Sequence, residues 1–233
     1  MAGPLALVGG DEFRPGNEAQ DQVLRDAAKA RPAFIIATAA GKGAAQAVAT
    51  AQHWFNGLGL SVEELVVRTA GDARSEAVVA QARTAGFIYL AGGDPGHVAT
   101  TLRSSAVWAA VHEAWQGGAA LAGSSAGAMA LCEWTLVRRD FPGHTARRPM
   151  PALGLLRGCA VLPHFDSFGE RWIPSAQEAL GEALLIGVDE RTAAVWQEGL
   201  WSAMGPGLVT VIRGAQRSSF SSGERIEGIP EPE

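Results

Sequence analysis

The sequence predicts an α/β fold: a mostly parallel central sheet with helices on both faces and a C-terminal β-hairpin at one edge. Two observations lead to this prediction. Short runs of buried-type apolar residues alternate with amphipathic segments of helical periodicity, which is the order that parallel sheets produce. Of the 233 residues, 47% are hydrophobic and 18% are charged, so the chain can bury a sizeable core.

The individual elements follow from apolar runs and helix signals. Strands are predicted at residues 5–8, 33–37, 62–68, 87–90 and 119–122, and later strand-like runs occupy 159–163 and 184–188. Helices are predicted at 17–29, with Asn17 as N-cap, at 44–57 and at 75–84, and two more between 94 and 117. Asp94 followed by Pro95 is a strong helix start.

The C-terminal third changes its pattern. Between residues 196 and 213 a strand, a glycine-containing turn and a second strand predict the edge hairpin. From residue 218 the chain is rich in Ser, Gly and Pro. We therefore expect one domain over residues 1–217 and a loose tail over 218–233.

Composition excludes several classes of function. A net charge of −5 argues against binding to nucleic acid or anionic membranes, which need a basic face. The two cysteines, with no CxxC or HExxH motif, predict neither a disulfide scaffold nor a metal site. No apolar run is long enough to span a bilayer, and the N-terminus does not resemble a signal peptide. A cytoplasmic protein is expected.

The strongest chemical signal is a nucleophile elbow. Gly123-Ser124-Ser125-Ala126-Gly127 matches G-x-S-x-G directly after a predicted strand and before a predicted helix. Such a turn holds its central residue in a strained conformation above a helix N-terminus, which favours a developing anion. The register selects Ser125 as the candidate nucleophile. An ordinary Gly/Ser-rich loop is the alternative interpretation.

A nucleophilic serine needs a base, and one histidine stands at the end of a predicted strand. The five histidines are His53, His97, His112, His144 and His164. His164 follows the run 159–163, and the carboxyl ends of strands are where α/β sheets place their ligands. His164 is therefore the favoured base.

Carboxylates that could orient this histidine occur in two segments. Asp189 and Glu190 follow the strand-like run 184–188, again at a carboxyl end. Asp140 is a rival, although it follows two arginines and also fits a solvated ion pair.

Four segments together resemble the cyanophycinase and peptidase E (aspartyl dipeptidase) family of serine exopeptidases. They are Gly92-Gly93-Asp94, residues 123–128, Pro163-His164-Phe165 and residues 187–193, and the resemblance runs from about Leu5 to Arg213. It implies a flavodoxin-like, class I glutamine-amidotransferase-like three-layer sandwich.

The resemblance also implies site residues. It implies a Ser125–His164–Glu190 triad, with backbone N–H groups of Gly93 and Ala126 as an oxyanion hole. No metal or organic cofactor is implied, and the expected partner is a short peptide, with acidic Asp-X peptides as the candidate class. Asp94 and Arg171 are the candidate substrate-binding residues.

Two departures from the family pattern argue against cyanophycin as the substrate. Pro95 stands where cyanophycinases have a glutamine, and only Arg171 follows His164 closely where they have several arginines. Trp134 and Trp172, just beyond Ser125 and His164, are expected to line the cleft.

Two alternatives remain from other classes. An α/β-hydrolase esterase shares the elbow, but its histidine lies near the chain end, whereas no histidine follows His164 here. The other is a catalytically silent peptide- or small-molecule-binding protein of the same fold. The expected oligomeric state is a monomer or a homodimer.

Overall fold

The structure is a computed structural model that describes residues 1–139 and 145–233. The strands are β1 (Leu5–Val8), β2 (Ala33–Ile36), β3 (Glu63–Glu64), β4 (Phe87–Leu90), β5 (Ala120–Ser124), β6 (Cys132–Arg138), β7 (Arg147–Pro151), β8 (Leu156–Leu162), β9 (Leu184–Val188), β10 (Ala193–Gln197), β11 (Leu200–Met204), β12 (Val209–Arg213), β13 (Gln216–Phe220) and β14 (Arg225–Ile226). The α-helices are α1 (Glu18–Ala28), α2 (Ala44–Gly57), α3 (Glu76–Thr84), α4 (Pro95–Leu102), α5 (Ala106–Gln116), α6 (Ala126–Leu131) and α7 (Ile173–Leu180). Within the described ranges, no helix combines the length and apolarity needed to cross a bilayer.

The strands form two sheets, whereas the sequence predicts one central sheet. The first has the order β14-β11-β10-β1-β5-β4-β2-β3, and the second β13-β12-β9-β8-β6-β7. In the first sheet β1, β5, β4, β2 and β3 are parallel, while β10 runs antiparallel along the free edge of β1. Because β10 occupies that edge, β8 and β9 cannot extend the parallel sheet there. Instead β8 pairs in parallel with β6, and β9 pairs in parallel with β8.

The predicted hairpin over residues 196–213 does not form. Its two strands, β11 and β12, belong to different sheets. The loop between β11 and β12 passes so close to the 189–192 segment that a Cβ on Gly207 would lie 2.6 Å from Cβ of Asp189. The chain is thus directed across to the second sheet, and the hairpins of this region are β10–β11 and β12–β13.

The C-terminal segment is packed, in contrast to the predicted loose tail. It contributes β13 and β14, and Ile226 and Ile229 are buried in the main core. Trp201 Nε1 also donates a hydrogen bond to the carbonyl of Pro230, at 2.9 Å. These two apolar side chains, together with the pairing of β13 with β12 and of β14 with β11, hold this otherwise polar segment in place.

Both faces of the first sheet are buried, as expected for parallel strands covered by helices. In β1, Leu5 and Leu7 join one apolar cluster, whereas Ala6 and Val8 join the other. Residues of α1 and α2 cover the second cluster, and residues of α3, α5 and the second sheet pack in the first. The carboxyl ends of β1, β4 and β5 are consequently left as neighbours at one edge of the layers.

Candidate active site

Ser125 occupies the strained turn between β5 and α6. Its φ of 49° and ψ of −110° lie outside the ordinary regions for a non-glycine residue. The conformation is held on both sides, because its N–H donates to the carbonyl of Val8 at 2.9 Å and its carbonyl accepts from Met129 N at 3.0 Å. Only glycine fits two residues later, since a Cβ on Gly127 would lie 2.1 Å from the carbonyl oxygen of Leu90. The hydroxyl of Ser125 faces the cleft above this turn.

His164 and Glu190 come from the second sheet and complete a hydrogen-bonded line with Ser125. Nε2 of His164 lies 3.0 Å from Oγ of Ser125, and Nδ1 lies 2.7 Å from Oε1 of Glu190. An ionised carboxylate only accepts, so Nδ1 carries the proton towards Glu190 and Nε2 is left to accept from the serine hydroxyl. The arrangement can therefore deprotonate Ser125 and stabilise the resulting imidazolium.

The loop after β1 connects the two sheets beneath the imidazole. The carbonyl of Gly9 accepts from His164 N at 2.7 Å, and the carbonyl of Gly10 accepts from Arg191 N at 2.8 Å. A Cβ on Gly10 would lie 2.2 Å from Cε1 of His164. This glycine therefore lets the ring approach the backbone closely. No local feature of the sequence predicts this role of Gly9 and Gly10.

The two neighbouring acids at the end of β9 have different partners. The carboxylate of Asp189 turns towards the second sheet, where Oδ2 accepts from Leu208 N at 2.8 Å, and burial raises its pKa. Glu190 faces His164, and its own N–H donates to Oδ1 of Asp166 at 3.1 Å. Asp140, the rival acid, lies outside the described residues.

Two backbone N–H groups beside Ser125 have no acceptor within the described part of the chain: those of Gly93 and Ala126. Gly93 follows β4, and Ala126 is the first residue of α6. Both residues line the same cleft as Ser125. Unpaired donors beside a serine hydroxyl can stabilise negative charge that develops on a nearby oxygen.

The cleft over Ser125 has a volume of ≈ 1220 Å³. Four arginines line it: Arg138, Arg147, Arg148 and Arg171. Phe168 forms part of the wall, and its ring stacks on His164 with 4.8 Å between centroids. Of the two tryptophans expected here, Trp172 lines the cleft and Trp134 does not appear among the lining residues. Of these four arginines, only Arg171 is predicted from the sequence.

Arg147 and Arg138 face each other across the β6–β7 hairpin. The guanidinium of Arg147 lies 3.8 Å from the centroid of the Trp172 ring. Burial, and secondarily the charge of Arg138, lowers the pKa of Arg147 to about 10. Arg147 therefore remains a cation at neutral pH and is held in place by an aromatic ring.

Asp94 also lines the cleft, but its carboxylate has a structural partner. Oδ1 accepts from Gly96 N at 2.8 Å and from His97 N at 3.1 Å, as an N-cap of α4 does. The helix start predicted at Asp94-Pro95 is thus confirmed, while a contact of Asp94 with substrate stays a prediction.

The remaining histidines do not contact Ser125 in the described residues. His53 is exposed on α2, and His112 Nε2 lies 2.7 Å from the carbonyl oxygen of Glu233. His97 lines the cleft, while His144 lies outside the described residues.

Sequence comparisons place the chain beside peptidases. The family model "Peptidase family S51" matches residues 5–202. Cyanophycinase from Synechococcus elongatus is 28% identical over 165 residues, which is 68% of this chain and 51% of that protein. Cyanophycinase from a Nostoc species is 30% identical over 158 residues, or 65% of this chain and 53% of that protein. The chain therefore spans about half the length of the curated relatives it matches.

Structural comparisons extend over nearly the whole chain. The crystal structure of a peptidase from an acI-B1 actinobacterium has a TM-score of 0.85 and 29% identity, covering 97% of both chains. A putative peptidase E protein from Listeria monocytogenes EGD-e has a TM-score of 0.58 and 16% identity, covering 97% of this chain and 100% of that one. The second likeness shows the fold alone.

Proposed function

This chain belongs to peptidase family S51, in agreement with the resemblance carried by its motifs, and from that membership we propose that it is a serine peptidase that hydrolyses short peptides. One observation carries the proposal. Ser125, His164 and Glu190 form a continuous hydrogen-bonded line, with 3.0 Å and 2.7 Å between the paired atoms. Strained backbone at Ser125 and at His164, where φ is 49° at both residues, is typical of a functional site.

In the proposed reaction, Oγ of Ser125 attacks the peptide carbonyl carbon while its proton moves to Nε2 of His164. The intermediate collapses by breaking the C–N bond, and the imidazolium returns the proton to the leaving amine. A water molecule then repeats the sequence and releases the acyl group from Ser125. Glu190 keeps the imidazole in the required tautomer throughout.

The oxyanion of each intermediate would bind the N–H groups of Gly93 and Ala126. This part of the proposal is supported by the absence of another acceptor for either group within the described residues. Donors that are already oriented need no reorganisation when charge develops, and losing one typically costs about 100–1000-fold in rate.

The preferred substrate would be an acidic peptide of the Asp-X kind. Four arginines line the cleft of a chain whose net charge is −5, so positive charge is concentrated where substrate would bind. Arg138 and Arg147 are direct cross-strand partners, and like charges in that position repel each other. Neither arginine has a carboxylate within ion-pairing distance among the described residues, so a substrate carboxylate would relieve the repulsion.

The test is digestion of a dipeptide and tripeptide library containing Asp-X, β-Asp-X and non-acidic members, read by mass spectrometry. Wild type is compared with Ser125→Ala. We expect wild type alone to cleave, with the acidic members preferred. Equal cleavage by both proteins would exclude Ser125 as the nucleophile, and no cleavage by wild type would contradict the peptidase proposal.

The choice of acid is tested in the same assay with Glu190→Gln and Asp140→Asn. Glu190→Gln keeps the shape but removes the negative charge beside Nδ1, so kcat should fall about 100-fold or more. Asp140→Asn should stay within about 3-fold of wild type. The reverse order would assign the role to Asp140. Asp189→Asn serves as the matched control, because its carboxylate faces Leu208 N.

A further inference from the structure

We propose that Glu12 is a positioning residue for the reaction, whose carboxylate holds the Gly92-Gly93 loop and the nucleophile elbow in register so that the Gly93 N–H points into the cleft. The inference rests on the proposed function. Glu12 itself touches neither Ser125 nor His164 among the hydrogen bonds of the described residues.

The carboxylate of Glu12 bridges the ends of three neighbouring strands. Glu12 lies in the loop after β1, its Oε1 accepts from Gly92 N at 2.9 Å, and its Oε2 accepts from the hydroxyl of Ser124 at 2.8 Å. Gly92 follows β4 and Ser124 ends β5, which lies between β1 and β4 in the sheet. One side chain thus fixes the relative positions of the two segments that would form the oxyanion hole.

The hydrogen bonds around Gly93 leave its N–H as the free donor of the loop. On one side Gly92 N–H is bound to Glu12, and on the other Asp94 N–H donates to the carbonyl of Ala39 at 2.8 Å. Gly93 has a φ of 142°, and a Cβ there would lie 2.1 Å from the same Ala39 oxygen. This unusual conformation of Gly93 is held by the hydrogen bonds of its two neighbours, and Glu12 accepts one of those two bonds, that of Gly92.

The second oxygen of Glu12 acts on the elbow. Ser124 is fully buried and immediately precedes Ser125. Without Glu12, a buried hydroxyl and the Gly92 N–H would both lose an acceptor, and each unsatisfied group is costly. The loop would shift to recover partners, and the Gly93 N–H would turn with it.

The kinetic test compares Glu12→Ala, Glu12→Gln and a matched control, Glu18→Ala. Glu18 also accepts a backbone N–H in the same region, that of Gly16 at 2.6 Å, whereas the hydrogen bonds to Gly92 and Ser124 are made by Glu12. We expect Glu12→Ala to lower kcat about 10–100-fold, a part of the loss for removing an oxyanion donor, with KM within about 3-fold. Glu12→Gln should recover most of kcat, because its carbonyl can accept from Gly92 while its amide donates to Ser124. Glu18→Ala should stay within about 2-fold of wild type.

A second readout does not depend on peptidase activity. In protein labelled with ¹⁵N-glycine, amide hydrogen exchange at Gly92 should be accelerated about tenfold or more in Glu12→Ala, as expected for losing one hydrogen bond, and not in Glu18→Ala. Unchanged protection of the glycine amide in β9, that of Gly187, verifies the fold. Should Glu12→Ala not fold, Glu12→Gln is compared with wild type in the same way, and its Gly92 amide should remain protected.

Several outcomes would overturn the inference. They are unchanged amide exchange at Gly92 in Glu12→Ala, a raised KM with unchanged kcat in Glu12→Ala, and a kcat of Glu12→Gln as low as that of Glu12→Ala. If wild type cleaves no peptide, the proposed function fails. Gly92 exchange then still decides whether Glu12 holds the loop.

Discussion

At the scale of single residues, the orientation of His164 depends on the glycine beneath it. Gly10 has a φ of 126°, and a methyl group there would lie 2.2 Å from Cε1 and 2.5 Å from Nε2 of the imidazole. Contacts this short cannot be accommodated without moving the ring. Because Nε2 lies 3.0 Å from Oγ of Ser125, even a small displacement breaks the contact on which the proposed proton transfer depends.

Gly10→Ala should therefore lower kcat about 100-fold or more, with a smaller effect on KM. Gly16→Ala is the matched control, since Gly16 also has a positive φ, 106°, while the nearest atom to its Cβ would be 3.4 Å away. Both variants incur backbone strain, and only Gly10→Ala displaces the imidazole. Steady-state kinetics alongside thermal unfolding separate the two effects. Equal losses of kcat in both variants would show that strain alone is responsible.

Single residues also show which parts of the candidate site can be predicted from the sequence. Ser125, His164 and Glu190 each follow a run that reads as a strand, so their convergence can be expected from the sequence. Gly10 and Glu12 also follow a strand, but their roles depend on contacts with residues far along the chain, 164 for one and 92 and 124 for the other. Nothing in the local sequence indicates those contacts.

At the scale of elements, the β6–β7 hairpin supplies most of the positive charge in the cleft. Arg138 and Arg147 are paired across it, and Arg148 is opposite Val137. Trp172, in the turn before α7, supports Arg147 from the other side. The hairpin therefore presents a cation in a fixed position, which suits recognition of a carboxylate better than a freely moving side chain would.

Arg147→Gln should raise KM for acidic peptides about tenfold, because one charge-assisted hydrogen bond is lost, and should change KM for neutral peptides less than about 2-fold. Arg157→Gln is the control. Arg157 is exposed, pairs with Glu233 at 3.0 Å and does not line the cleft. Competition between acidic and neutral peptides in one mixture directly measures the ratio of their kcat/KM values. A uniform loss on both kinds of peptide would instead indicate that Arg147 only supports the hairpin.

Elements were predictable where their signals are local. Asp94 caps α4 with its own carboxylate, as its position before Pro95 predicts. Asn17 stands at the start of α1, but its side-chain amide donates to the carbonyls of Asp11 and Arg14 and makes no cap. The hairpin expected over residues 196–213 failed for a related reason, since a turn-like sequence does not reveal which sheet each strand will join.

At the scale of the whole molecule, the candidate site is built where the two sheets meet. Ser125 comes from the first sheet, while His164 and Glu190 come from the second, and the carbonyls of Gly9 and Gly10 join them. The sequence predicts the strand ends but not the division into two sheets, because pairing of β8 with β6 follows from β10 occupying an edge of β1. That competition is between distant segments and leaves no local pattern.

Stability of the whole molecule should depend on one buried acid. Asp21 in α1 is 1% exposed. Its Oδ2 accepts from Trp54 Nε1 at 2.8 Å, and its Oδ1 has no partner among the described residues. Burial raises its pKa to about 7, the hydrogen bond from Trp54 opposes the rise, and the charges of Glu12 and Glu18 add to it. Ionising this carboxyl therefore destabilises the folded state.

The sign of the pH dependence follows from comparing the two states. Unfolded Asp titrates near 4, whereas folded Asp21 keeps its proton up to about 7, so the folded protein binds the extra proton between those values. The free energy of unfolding should fall across that window as pH rises, by up to about 4 kcal/mol from this group, and then level off. Asp21→Asn stays neutral and can still accept from Trp54. It should therefore remove this contribution to the slope of unfolding free energy against pH.

Urea unfolding of wild type and Asp21→Asn between pH 5 and pH 8 measures this difference. The advantage in stability of the variant over wild type should widen by about 3 kcal/mol between pH 5 and pH 8, because wild type loses stability over that range through Asp21 and the variant does not. Asp72→Asn is the control, because hydrogen bonds from the N–H groups of Arg68 and Thr69 lower the pKa of Asp72. The stability that Asp72 contributes is lost only as pH falls below the acidic end of the range. Asp72→Asn should therefore change the free energy of unfolding by the same amount at every pH between 5 and 8. If the free energy of unfolding follows parallel curves against pH in wild type and Asp21→Asn, Asp21 is ionised in the folded protein across that range. That result would contradict the raised pKa.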